Sequence, residues 1–176
     1  GATEPVVLVG HSFAGIVISQ VAESIPERIS RLVYVTAFLP ANGQSLSRLA
    51  TADPGNPVAT SSILSADQQL IRLDLDKVQA LLYADCPESD VALARQRLCA
   101  EPVTPFVTPV AITAGRAGSI PRSYIECLND IAIPLWFQRQ MQAGMPCYPV
   151  HALPTGHSPF FAAPVELARL LADAAR

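Results

Sequence analysis

The sequence predicts an α/β protein with a parallel sheet, because apolar runs typical of buried strands alternate with amphipathic runs typical of helices. Hydrophobic residues make up 50% of the 176 positions, which is enough for one domain with a substantial core. The apolar runs are continuous rather than alternating, as expected for strands covered on both faces. Strands are expected at residues 5–10, 31–38, 122–127 and 147–153, and helices at residues 14–25, 134–143 and 164–175.

Charge and hydropathy narrow the classes of function. The net charge of −3 gives no electrostatic basis for binding nucleic acid. No apolar run approaches the ~18 residues that a membrane span needs, and no signal peptide is visible, so a cytoplasmic location is expected. The cysteines and histidines do not have the spacing of a zinc site, and we expect neither a metal nor an organic cofactor.

Residues 40–121 interrupt the alternation of strands and helices. Prolines and glycines mark the start of this segment and its end, and helices are expected near residues 66–84 and 88–99. We interpret the segment as a lid inserted between two parts of one core, residues 1–39 and 122–176, above the carboxyl ends of the strands.

The four cysteines divide between the core and this insertion. Cys127 and Cys147 lie in predicted strands and are expected to be small buried hydrophobic residues. Cys86 and Cys99 lie in the insertion, where both a disulfide and two free thiols are compatible with the sequence.

The most informative segment follows the first predicted strand. That apolar run ends at Gly10, Ser12 comes two residues later, and an amphipathic helix begins directly afterwards. A serine between a strand and a helix, with small flanking residues, is typical of the nucleophile elbow, in which the backbone N–H of the next residue, Phe13, faces a developing oxyanion. The usual pattern is Gly-x-Ser-x-Gly, and Ala14 followed by Gly15 replaces its second glycine. The alternative is a plain loop whose serine caps the helix.

A serine nucleophile needs a base, and the chain has three histidines. His11 is adjacent to Ser12, so its side chain should project away from that of the serine. His151 lies within a predicted strand, where a core role is the alternative. His157 lies in the loop between the last strand and the last helix, where the base of an elbow-type hydrolase is found.

The base needs an acid that orients it, and the acid should lie between Ser12 and His157 in the chain. Asp130 follows the strand at residues 122–127, which places it at the carboxyl end of a strand. A helix cap is the alternative role for this residue, and Glu126, inside the strand, is the nearest rival.

Three motifs resemble the α/β-hydrolase superfamily: Gly-His-Ser-Phe-Ala-Gly, Tyr-Ile-Glu-Cys-Leu-Asn-Asp-Ile-Ala-Ile-Pro and Thr-Gly-His-Ser-Pro-Phe. They are most similar to the branch of plant methylesterases, hydroxynitrile lyases and bacterial pyrethroid-type carboxylesterases. The resemblance implies that Ser12 is the nucleophile, Asp130 the acid and His157 the base, with the Phe13 N–H as one oxyanion donor. The residues expected to line an apolar pocket are His11, Trp136 and Phe160, and core packing is the alternative role for the aromatic side chains.

The resemblance implies a serine esterase, and small to medium apolar carboxylic esters are the expected substrates. The lyases of this branch have a lysine directly after the catalytic histidine, where this chain has Ser158, which favours ester hydrolysis. A lyase-like enzyme, a ligand receptor that keeps the triad without turnover, and an inactive fragment are the alternatives.

The resemblance also implies that the chain corresponds to the C-terminal part of an α/β-hydrolase. The early strands and the loop that supplies the second oxyanion donor would precede Gly1. The first strand would then have an unpaired edge, open to a preceding segment or to a second copy. We expect the isolated chain to be marginally stable and weakly active or inactive.

Overall fold

The computed structural model describes residues 4–176, so the first three residues of the predicted 1–39 segment lie outside the described residues. The main sheet is parallel and has four strands in the order β1-β2-β6-β7. The predicted α/β class is confirmed. Strand β6 (Arg122–Cys127) has the predicted bounds, and β1 (Val6–Ser12), β2 (Ile29–Ala37) and β7 (Val150–Leu153) are found with shifted ends.

Helices cover both faces of this sheet, as the continuous apolar runs predict. Side chains of β2 alternate between the faces: Leu32 and Tyr34 belong to one buried cluster, and Val33 and Val35 belong to another. The first cluster includes residues of two helices, and the second includes residues of a third. These helices are α1 (Ala14–Ser24) and α7 (Leu135–Gly144) on one face and α9 (Pro164–Ala174) on the other.

The insertion between β2 and β6 folds into short helices and a small antiparallel sheet of order β3-β4-β5. A further short helix, α8 (Pro159–Ala162), follows β7. The α-helices of the insertion are α2 (Leu46–Ala50), α3 (Pro57–Thr60), α4 (Val78–Leu82), α5 (Glu88–Arg97) and α6 (Thr104–Val107), and a 3-10 helix spans Ala117–Ser119. Its strands are β3 (Ser62–Leu64), β4 (Leu70–Leu73) and β5 (Glu101–Pro102).

The predicted helix at residues 66–84 is wrong for its first half, whereas α5 fits the helix predicted at 88–99. Residues 62–73 form a hairpin, in which the Asp67 carboxylate accepts hydrogen bonds from the Ser65 hydroxyl and the Gln69 N–H. Gln68 between them has a φ of +58°, which a helix does not tolerate. The turn therefore replaces the helix, which begins only at Val78.

All four cysteines are free, so the structure contains no disulfide between Cys86 and Cys99. Cys127 is buried in β6 as predicted. Cys147 precedes β7 instead of lying within it, and it is only partly buried.

One edge of β1 pairs with β2, and within residues 4–176 no strand pairs with the other edge. Apolar side chains are exposed on this strand, with 41% of Val6 and 47% of Val9 accessible to solvent. An unpaired apolar edge of this kind is a template for a further strand. No helix among the described residues is long and apolar enough to cross a membrane.

Two glycines allow β1, α1 and β2 to approach closely. A Cβ on Gly10 would lie 2.9 Å from the Ala14 carbonyl oxygen, and one on Gly15 would lie 2.0 Å from the Phe38 carbonyl oxygen. The second contact involves rigid backbone, so any side chain at Gly15 must push α1 away from the end of β2.

We expect Gly15→Ala to lower the free energy of unfolding by about 3 kcal/mol, because overpacking against backbone cannot be relieved by a rotamer change. Urea unfolding at constant m-value measures this loss. Gly144→Ala is the matched control, since a Cβ there meets no atom within 4 Å. Equal urea midpoints for the two variants would contradict the close approach.

Candidate active site

Ser12 lies at the carboxyl end of β1, one residue before the N-cap of α1. Its φ is +53°, in the left-handed region that non-glycine residues rarely adopt. Helix α1 begins at Ala14, so the strand, the strained serine and the helix follow one another directly. This is the local geometry that the small flanking residues predict, and it presents the serine hydroxyl at the edge of the sheet.

The structure brings the three residues proposed from the sequence into one chain of hydrogen bonds. His157 Nε2 lies 3.0 Å from Ser12 Oγ, and His157 Nδ1 lies 2.8 Å from Asp130 Oδ2. A carboxylate only accepts, so the Nδ1–H donates to Asp130 and the unprotonated Nε2 accepts from the serine hydroxyl. The side chains of His157 and Asp130 are 5% and 0% exposed, so the hydrogen bond between them is shielded from water.

Asp130 follows β6 and is surrounded by donors. Its Oδ1 accepts the backbone N–H groups of Ala132 and Ile133 at 2.7 and 3.0 Å, and its Oδ2 accepts from Thr36 as well as from His157. Burial favours the neutral acid, but these hydrogen bonds and the charge interaction with His157 outweigh it, and the pKa of Asp130 lies below its ordinary value. Asp130 therefore stays ionised beside the imidazole ring.

Thr36 is a site residue that the sequence did not reveal. Its hydroxyl donates to Asp130 Oδ2, its side chain is fully buried, and its φ is +35°, an outlier for a β-branched residue. The pairing of β1 with β2 shifts here: His11 is opposite Val35, but Ser12 is opposite Ala37, so Thr36 is the extra residue of a bulge. The only feature of the sequence that points to Thr36 is its hydroxyl, which stands within an apolar run.

The His11 side chain forms its hydrogen bond with the backbone of the base, and the Ser12 hydroxyl is bonded to His157. The His11 Nε2–H donates to the His157 carbonyl oxygen at 2.7 Å, and the two imidazole rings lie 4.7 Å apart. Burial, followed by the positive charge that His157 can carry, lowers the pKa of His11 to about 4. His11 is therefore neutral near pH 7, and its side chain donates a hydrogen bond to the backbone of the base.

The other predicted pocket residues differ in their positions. Phe160 packs edge-on against His11, with ring centroids 5.1 Å apart, and is 40% exposed. Trp136 is 50% exposed at the start of α7, and its ring packs on Phe137 rather than on either imidazole. The Phe13 ring stacks at 4.7 Å on Phe106 of α6, a contact between the serine turn and the insertion.

The rival residues lie away from this group. Glu126 is buried, and its carboxylate forms a bidentate ion pair with Arg139 of α7. His151 is partly buried in β7, opposite Ile125, where its Nε2 has no hydrogen-bond partner among the described residues. Residues 4–176 contain no group of three or more His, Cys, Asp or Glu side chains that could hold a metal ion.

A cleft of about 870 Å³ lies between α2 and α7. Its walls include Leu49, Phe137 and Met141, but none of Ser12, Asp130 or His157. It is therefore separate from the serine–histidine–aspartate group.

The sequence matches one known family over nearly its whole length. The profile of the Alpha/beta hydrolase family covers residues 1–170. The chain belongs to the alpha/beta hydrolase family. A pyrethroid hydrolase from Sphingobium wenxiniae is 34% identical over 175 residues, which cover 95% of this chain and 62% of that protein. Putative methylesterase 11, chloroplastic, from Arabidopsis thaliana is 34% identical over 186 residues, which cover 98% of this chain and 47% of that protein.

Solved structures give the same family. A crystal structure of a pyrethroid hydrolase from Sphingobium faniae matches 99% of this alpha/beta hydrolase chain with a TM-score of 0.87 and 32% identity. The match covers 72% of the crystallised chain. This alpha/beta hydrolase chain is therefore partial relative to the proteins that it resembles.

We expect Thr36→Val to lower the free energy of unfolding by about 2 kcal/mol, because it removes a hydrogen bond to a buried charge. Valine keeps the shape and β-branching that the strained backbone already accommodates. Urea unfolding at pH 7 measures the change, and Thr36→Ser, which keeps the hydroxyl, should lose much less. A serine variant as unstable as the valine variant would show that the hydroxyl has no role.

We expect acid to destabilise the fold through His11. The folded pKa is about 4 and the ordinary value is 6.5, so the unfolded chain binds an extra proton between these values. The contribution of neutral His11 to the free energy of unfolding is fully present above pH 6.5. It is lost as the pH drops towards 4, by at most about 1.4 kcal/mol per pH unit. Asp130, whose pKa is lowered, contributes to stability above its ordinary pKa of 3.8, and this contribution is lost only as the pH falls below that value.

Urea unfolding of the wild type and of His11→Gln between pH 4.5 and 7.5 isolates this contribution. The variant has no proton to gain at this position, so its pH slope should be shallower by up to one proton. Parallel curves for the two proteins would contradict a neutral buried His11.

Proposed function

We propose that this chain carries the nucleophile, base and acid of a serine esterase. The observation that carries the proposal is the chain of hydrogen bonds from Ser12 Oγ through His157 to Asp130, at 3.0 and 2.8 Å, on a serine with a φ of +53°. The hydrolase and methylesterase names of its relatives support ester chemistry.

In the proposed reaction, Ser12 Oγ attacks the ester carbonyl carbon while His157 Nε2 takes the hydroxyl proton. Asp130 holds the ring in the required tautomer and stabilises the imidazolium. The oxyanion accepts a hydrogen bond from the Phe13 N–H at the start of α1. His157 then protonates the leaving alcohol, and a water activated by His157 hydrolyses the acyl-enzyme.

Small to medium apolar esters are the substrates that we propose. The exposed face of Phe160 lies beside His11, and Leu128, Ile131 and Trp136 are exposed around the loop that carries Asp130. Apolar surface of this kind suits an uncharged acyl or alcohol group. The relatives' names support the class: one is a pyrethroid hydrolase and another a putative methylesterase.

We propose that the insertion at residues 40–121 acts as a lid, because Phe106 stacks on Phe13 beside the nucleophile.

The cytoplasmic location of the protein stays a prediction, and one plant relative is named as chloroplastic.

A further strand on the free edge of β1 would complete the sheet and bring a second oxyanion donor near Ser12. The exposed valines of β1 support this, as does the partial coverage of the relatives. One oxyanion donor contributes ~10²–10³ in rate, so the isolated chain should be slow. The occupant that we propose is a preceding segment of the same polypeptide, with a second copy as the alternative.

A fluorophosphonate that modifies activated serines tests the proposal. We expect stoichiometric labelling of Ser12, located by mass spectrometry, and loss of labelling in His157→Ala, because the base is needed to activate the hydroxyl. Asp130→Asn should slow labelling by about 10⁴-fold, as expected when the imidazole tautomer is no longer fixed.

Turnover and an extended chain separate the alternatives. Repeated turnover of a chromogenic acetate ester supports an enzyme, whereas one event per molecule indicates a receptor. Faster labelling after addition of a preceding segment taken from the pyrethroid hydrolase relative supports completion of the sheet edge. No labelling of either the chain or its extended form would reject the serine mechanism.

A further inference from the structure

The loop that carries His157, residues 154–158, is held from three directions. Asn129 donates its backbone and side-chain N–H groups to two loop carbonyls at 3.0 Å each. His11 donates to the carbonyl of His157 itself at 2.7 Å. The third contact comes from the insertion between β2 and β6.

Asp85 makes that third contact. Its Oδ2 accepts the N–H of Gly156, the residue before His157, at 2.6 Å. A Cβ on Gly156 would lie 2.9 Å from Asp85 Oδ1, so a side chain at this position would displace the carboxylate. A carboxylate that accepts a backbone N–H at this distance forms a short, charge-assisted hydrogen bond, stronger than one between neutral groups.

The neighbours of Asp85 contact the other side of the loop. The Cys86 thiol lies 3.7 Å from the Ser158 carbonyl oxygen, and the Tyr83 ring lies 6.1 Å from that of Phe161. Burial raises the pKa of the Cys86 thiol to about 11, so the thiol stays protonated and donates. The insertion therefore contacts residues both before and after His157.

We propose that Asp85 is a positioning residue for the base. By binding the Gly156 N–H, its carboxylate fixes the loop so that the His157 ring lies between Ser12 and Asp130. The insertion then does more than cover the site, because one of its charges holds the catalytic loop in place. This inference rests on the proposed ester hydrolysis.

Labelling rates with the fluorophosphonate test the proposal in the full chain. We expect Asp85→Ala to reduce the rate at Ser12 by about 10- to 100-fold, since a displacement of ~1 Å costs ~10² in rate. Asp85→Asn keeps an acceptor oxygen but loses the charge, so its rate should lie between those of Asp85→Ala and the wild type. Asp76→Ala is the matched control, an exposed carboxylate of the same insertion, and should label at the wild-type rate.

A double-mutant cycle separates positioning from general loss of structure. Gly156→Ala alone places a methyl group against the Asp85 carboxylate, which must move away, and should slow labelling about as much as Asp85→Ala. In the Asp85→Ala background the clash is relieved, so Gly156→Ala should slow labelling much less there.

With an ester substrate, Asp85→Ala should lower kcat and leave KM unchanged, because Asp85 acts through the base.

A readout independent of activity is the amide signal of Gly156 in protein labelled with ¹⁵N-glycine, which contains nine glycines. The short bond to the carboxylate should shift this proton downfield, and Asp85→Ala should return it to the range of ordinary amides. Asp76→Ala should leave it in place.

The outcomes are distinct. Slow labelling of Asp85→Ala with partial rescue in Asp85→Asn and a shifted Gly156 amide supports the proposal. Wild-type labelling of Asp85→Ala overturns it while ester hydrolysis still stands. If neither the wild type nor its extended form is labelled, ester hydrolysis fails, and an unmoved Gly156 amide in Asp85→Ala then overturns the Asp85 contact independently.

Discussion

A carboxylate shielded from water is stable only when enough hydrogen-bond donors surround it. At the carboxyl ends of the strands, four donors surround Asp130. Two are backbone N–H groups of the loop after β6, one is the hydroxyl of Thr36 at the end of β2, and one is the His157 ring after β7. Three segments distant in sequence therefore meet at one buried charge. The alignment of His157 with Ser12 depends on that meeting point.

Much of this arrangement could be predicted from the sequence, because it follows from local patterns. Continuous apolar runs predict the strands. In a parallel sheet the carboxyl ends of the strands lie at the same end, which brings Ser12, Asp130 and His157 together. Thr36 and Asp85 could not be found this way, because their roles depend on pairings between distant segments. The hairpin at residues 62–73 was missed for the same reason, since its strands are defined by their pairing.

Strain is concentrated where the chemistry is proposed. Ser12 and Thr36 both have positive φ, at neighbouring positions of β1 and β2, and such residues each cost ~1–3 kcal/mol. The Phe38 N–H donates to the Ser12 carbonyl at 3.1 Å, and Gly15 allows α1 to pack against the same turn. The two apolar clusters on either face of the sheet provide the stability that maintains this local strain.

Trp136 is the only tryptophan in the chain. It lies at the start of α7, six residues after Asp130, with half of its side chain in solvent. Its emission spectrum therefore reports on a single location, the start of the helix that follows the Asp130 loop. Quenching by acrylamide would follow solvent access to this region without an attached dye, and energy transfer to a bound chromophore would give its distance from the indole.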